Sequence, residues 1–136
     1  MQLIKYNKYF PLHVWISSLL LAPLFLLLIG MVEPELRITS NWVGFALIMI
    51  LTGFYLSIPT FIISLFTFFV IVGKVKSAIV KLLLTTIGIS GILITYHLLP
   101  TNSLLNPGTH TIYYFIANSL SIITSVLYIK LILKMT

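Results

Sequence analysis

The sequence predicts an all-α integral membrane protein, with four transmembrane helices in two antiparallel hairpins, and three observations carry that expectation. Hydrophobic residues make up 60% of the 136 and charged residues 7%, with a mean hydropathy of +1.15. That is more apolar surface than one water-soluble core of this size hides. Four apolar stretches, 12–32, 43–72, 78–99 and 111–129, each come near the roughly 20 residues that a helix needs to cross about 30 Å of hydrocarbon. Seven of the eight basic residues (Lys5, Lys8, Lys74, Lys76, Lys81, Lys130 and Lys134) flank these stretches on one side, leaving Arg37 with Glu33 and Glu35 on the other. Cytoplasmic loops retain lysine and arginine, so both termini are expected in the cytoplasm. The connections are too short to fold alone, and residues 1–136 read as a single domain.

The first span follows two lysines, as a signal peptide would. Its 21 apolar residues, ending in GMVEPE without a small-residue cleavage site, mark it as a retained span instead. Pro23 lacks an amide hydrogen, leaves the Leu19 carbonyl unpartnered and predicts a kink. Next, EPELRITSN supplies Pro34 as a stop and Ser40 or Asn41 as an N-cap for span two. Pro59 repeats the device there by freeing the Tyr55 carbonyl, and Ser57 and Thr60 are placed to turn their hydroxyls onto carbonyls one turn earlier. At about 1.5 Å per residue both prolines fall near mid-membrane, where the two kinks are expected to meet. The short connection around Gly73 and Lys76 predicts a tight hairpin between spans two and three. Asn106-Pro107-Gly108 turns the chain into span four. Aromatic residues predict two interfacial belts: Tyr6, Tyr9, Phe10, Trp15 and Tyr128 inside; Trp42, Tyr96, Tyr113 and Tyr114 outside.

Polar residues inside the spans follow a rhythm. Gly53, Ser57, Thr60, Ser64 and Thr67 step four, three, four, three along span two, and Tyr114, Asn118, Ser121, Ser125 and Tyr128 do the same along span four. A repeat of about 3.5 keeps each set on one stripe. Span three adds a small-residue face of Thr85, Gly88, Gly91 and Thr95. Such residues let helices approach closely and hydrogen-bond within a membrane. They can equally line a path for a small solute or ion. The amide of Asn118 has four hydrogen-bonding positions to satisfy and is expected to anchor one helix to another.

Several chemistries are excluded. There is no cysteine, which removes thiolate metal sites and disulfide exchange. No acidic residue lies within a span, although coupled transporters and four-span multidrug exporters rely on one. The outer side gathers Glu33, Glu35, His97 and His110, weak candidates for a metal or proton site whose spacing matches no ligand motif. No catalytic set, cofactor site or metal site is expected. The net charge of +6 follows from topology and from attraction to anionic headgroups, without nucleic acid.

The expected function is therefore non-enzymatic: helix–helix recognition within a prokaryotic cytoplasmic (inner) membrane. This suits an accessory subunit of a membrane complex or an immunity-type protein against a membrane-inserting toxin, with a membrane-protein partner or self-association. The alternative is an oligomeric channel or facilitator for a small solute or ion, using the hydroxyls of Ser57, Thr60, Ser64, Asn118 (through its amide), Ser121 and Ser125.

Overall fold

The computed structural model describes residues 5–33, 41–98, 109–130 and 132–133. Four helices are present: α1 (Phe10–Val32), α2 (Trp42–Ile71), α3 (Ser77–Leu98) and α4 (Thr109–Tyr128). Two two-residue strands, β1 (Lys5–Tyr6) and β2 (Ile132–Leu133), pair antiparallel, with Lys5 opposite Leu133 and Tyr6 opposite Ile132. This ribbon joins residues 5–6 to residues 132–133 and has no counterpart in the hydropathy pattern.

Local chemistry sets the helix limits. Asn7 accepts from the Tyr9 N–H at 3.1 Å, and Pro11 sits in the first turn of α1, where its missing N–H costs nothing. Asn41 caps α2 by accepting from the Gly44 N–H at 3.0 Å. Gly73 ends the same helix's turn at φ +82, a left-handed conformation that favours glycine. The Lys74 N–H then reaches back to the Ile71 carbonyl at 3.0 Å, and α3 begins four residues after Gly73.

Three helices, α1, α2 and α3, are long and apolar enough to cross a membrane. The fourth differs from expectation, because its apolar part, Ile112–Tyr128, is shorter. Both α1 and α2 continue through their prolines. Pro23 is buried, whereas Pro59 is exposed on the α2/α3 side.

Each helix packs on its neighbours in the order α1, α2, α3, α4, and the α1/α4 seam, the most extensive, closes the ring. The hairpins are thus fastened along their open edges. At the end holding the ribbon lies an apolar core of Phe10, Phe68, Val80, Leu84 and Val126, each at most 5% exposed. Phe10 and Phe68 stack with centroids 6.1 Å apart. Lys81 spans this seal by donating to the Ile129 carbonyl at 3.3 Å with its Nζ 5.8 Å from the centre of the Phe10 ring. Tyr6 lies beside Gly73, which puts the α2–α3 turn, with Lys74 and Lys76, at the same end as the ribbon of residues 5–6 and 132–133. The remaining outer face is aliphatic, with Leu20, Leu24, Leu28, Leu47, Leu51 and Ile62 each about half exposed or more.

A candidate intramembrane cavity

Within the ring of helices lies a cavity of about 380 Å³, in the size range of ordinary small-molecule sites. Helix α2 lines it from Phe45 to Ser64, a length of about 28 Å at 1.5 Å per residue. The cavity is therefore a long narrow slot. Its floor faces the lysine-rich end, where Val14, Leu84 and Ile122 belong both to the wall and to the apolar seal.

Helical periodicity aims the polar stripes inward. Ser57, Thr60 and Ser64 of α2 and Asn118 and Ser121 of α4 all line the slot, joined by Gly88, Gly91 and Thr95 of α3. Ser121, 1% exposed, donates to the Asn118 carbonyl at 2.7 Å. Ser125 is equally buried but lies off the wall, and its Oγ has no hydrogen-bond partner among the described residues. The Asn118 amide does reach a second helix: its Nδ2 donates to the Tyr96 hydroxyl at 3.2 Å and to the Tyr114 carbonyl at 2.8 Å.

Trp15 departs from the interfacial place its type suggested. It stacks on Phe61 with centroids 4.3 Å apart, touches Phe54 at 4.8 Å, and donates its indole N–H to Ser57 Oγ at 2.8 Å. Ser57 in turn donates to the Phe54 carbonyl at 3.2 Å, so this hydroxyl is held from both sides. Tyr96 and Tyr114, also expected in a belt, line the far end of the slot. The signal for Trp15 was present in the sequence, since Pro11, Trp15 and Ser18 step four and three and all three line the cavity.

Other hydroxyls in the wall have capacity to spare. Thr52, Thr60 and Ser64 line the slot without a hydrogen bond among the described residues. Thr60 occupies the space where a Cβ on Gly91 would lie, so α2 and α3 touch there through a threonine and a bare backbone. On the other side of this contact, Pro59, Ile63, Thr86 and Ser90 line a groove of about 530 Å³ that shares Leu56, Thr60, Gly91 and Thr95 with the slot.

Among the described residues, tyrosine is the sole ionisable type in the slot wall, and no aspartate, glutamate, lysine, arginine or histidine lines it. Of the histidine–carboxylate candidates, Glu33 and His97 are not part of its wall. His97 is exposed and Glu33 half-buried, while Glu35 and the His110 side chain lie outside the described residues. No group of three or more metal-binding side chains occurs among the described residues. Compared with known proteins, the chain matches no family model, no curated protein and no solved structure.

Proposed function

We propose that this chain is a non-enzymatic integral membrane protein that binds an uncharged molecule in the cavity between its own four helices. One observation carries the reading: the hydroxyl stripes of α2 and α4 converge on a slot whose wall, among the described residues, holds no formal charge. An ion entering it would lose hydration without a charged ring or an array of carbonyls to replace it. A neutral ligand gives up much less, and Thr52, Thr60 and Ser64 are available to it. The Phe10–Phe68 seal argues against an open channel. The clustering of Lys8, Lys74, Lys76, Lys81 and Lys130 at one end supports a topology with both termini in the cytoplasm of a prokaryotic cell.

A second reading, recognition of a partner's transmembrane helix, is favoured by Thr86 and Ser90. They are exposed one turn apart in the α2/α3 groove, where only lipid or another helix would meet them. Solvent extraction of the purified protein followed by mass spectrometry tests the choice. An uncharged molecule should be recovered at near-stoichiometric yield, and Ser64→Phe, which fills the floor of the slot, should abolish recovery while helical circular dichroism is retained. Recovery no higher than from a detergent blank, with a stoichiometric membrane protein co-purifying, would select partner recognition instead.

A further inference from the structure

We infer that the slot is loaded from the side, out of the bilayer, and that its ligand is a neutral single-chain amphiphile. The inference rests on the cavity being a binding site and adds a route and a ligand class. Helix α1 lines the slot only from Pro11 to Leu19; beyond Leu19 its buried residues, Ala22, Pro23, Leu26 and Gly30, contribute nothing to the wall. In that upper half the wall is made by α2, α3 and α4 alone. On α2, Ile48 is 66% exposed and Thr52 is exposed, and both line the slot. An exposed residue that also lines a cavity marks its mouth. The mouth therefore lies on the side of α2 that α1 leaves uncovered, just beyond Gly53, where Leu19 Cδ2 lies 3.1 Å from the place a Cβ would occupy.

Depth decides what reaches this mouth. Thr52 is ten residues into a 30-residue helix, about 15 Å from its start at 1.5 Å per residue. A helix of that length, about 45 Å, overshoots about 30 Å of hydrocarbon at both ends, so Thr52 falls within the apolar layer. Water-borne solutes are scarce at that depth, whereas lipids are abundant. The wall suits one chain with one small polar group. Ile48, Met49, Leu56 and Ile92 offer aliphatic contact, and the unpaired hydroxyls of Thr60 and Ser64 can bond a hydroxyl or carbonyl. The absence of formal charge from the wall disfavours an ionised headgroup.

Trp15 provides the readout, since it lines the slot and the only other tryptophan is Trp42. The protein carrying Trp42→Phe is reconstituted in phosphatidylcholine vesicles, and its fluorescence is followed as 9,10-dibromostearyl alcohol is added. Expected is quenching that saturates at low mole fraction, where two-chain dibrominated phosphatidylcholine gives only a small, linear loss and aqueous acrylamide gives little. Thr52→Phe, at an exposed site tolerant of bulk, should weaken the apparent affinity about tenfold by narrowing the mouth, and Leu51→Phe, exposed but off the wall, should not. Quenching that fails to saturate, or that acrylamide matches, overturns the inference. If extraction still recovers a neutral molecule, the cavity itself survives that result. Saturable quenching indifferent to Thr52→Phe overturns the lateral route alone.

Discussion

At the scale of single residues, the slot is held by pairs that the sequence names one member at a time. The Asn118 amide was legible as an anchor because an amide in an apolar helix has few ways to be satisfied; that its partners would be Tyr96 and the Tyr114 carbonyl was not, since tyrosine near a span end reads first as an interfacial residue. The same rule misplaced Trp15, whose indole N–H found Ser57. Asn118→Leu deletes the bridge and strands the Tyr96 hydroxyl in a half-buried place. Interhelical hydrogen bonds in membranes are worth about 1 kcal/mol, so this variant should unfold earlier in a denaturant titration in detergent by about that amount. An unchanged midpoint would show that the bridge contributes nothing to stability.

At the scale of elements, periodicity gave the helices and the inward stripes, and turn chemistry gave the two ends of α2, whereas the Pro34 stop and the Asn106-Pro107-Gly108 turn lie outside the described residues. Asn41 and Gly73 act where their residue types suggested. What periodicity left open was the identity of each stripe's neighbour, because a 3.5 repeat states that residues share a face and says nothing of what lies opposite. Proline chemistry was also incomplete as a guide. It specified a lost hydrogen bond at Pro23 and Pro59, but their rotation about the helix axes is fixed by packing, which buries the first and exposes the second. The α2–α3 turn makes a quantitative test. Gly73→Ala forces a side chain into the left-handed region at a cost of about 1–2 kcal/mol, although the space around the new Cβ is ordinary, with Tyr6 at 3.8 Å. The expected loss is therefore entirely conformational. A Gly73→Asn variant, better suited to that region, should recover part of it in the same denaturation assay.

For the whole molecule, composition and charge placement were enough to expect apolar helices with both ends together, because an even number of crossings returns the chain to the side it left. The ring closure through α1 and α4, and the ribbon between residues 5–6 and 132–133, were not legible. They depend on contacts between the first and last elements of the chain, for which the local pattern holds no signal. With no native cysteine, single cysteines at Lys8, Lys74 and Lys130 can be labelled with a membrane-impermeant maleimide in right-side-out vesicles. All three should stay unlabelled until the vesicles are opened, and labelling of one without the others would break the single-sided arrangement.

The pairing of Lys5 with Leu133 also bears on where such a protein can be cut and rejoined. Because residues 5–6 and 132–133 already lie side by side, the four helices form a closed cycle whose seams do not depend on which connection is left open. A circular permutant, spliced across the ribbon and reopened at the α2–α3 turn, would inherit every seam of the original.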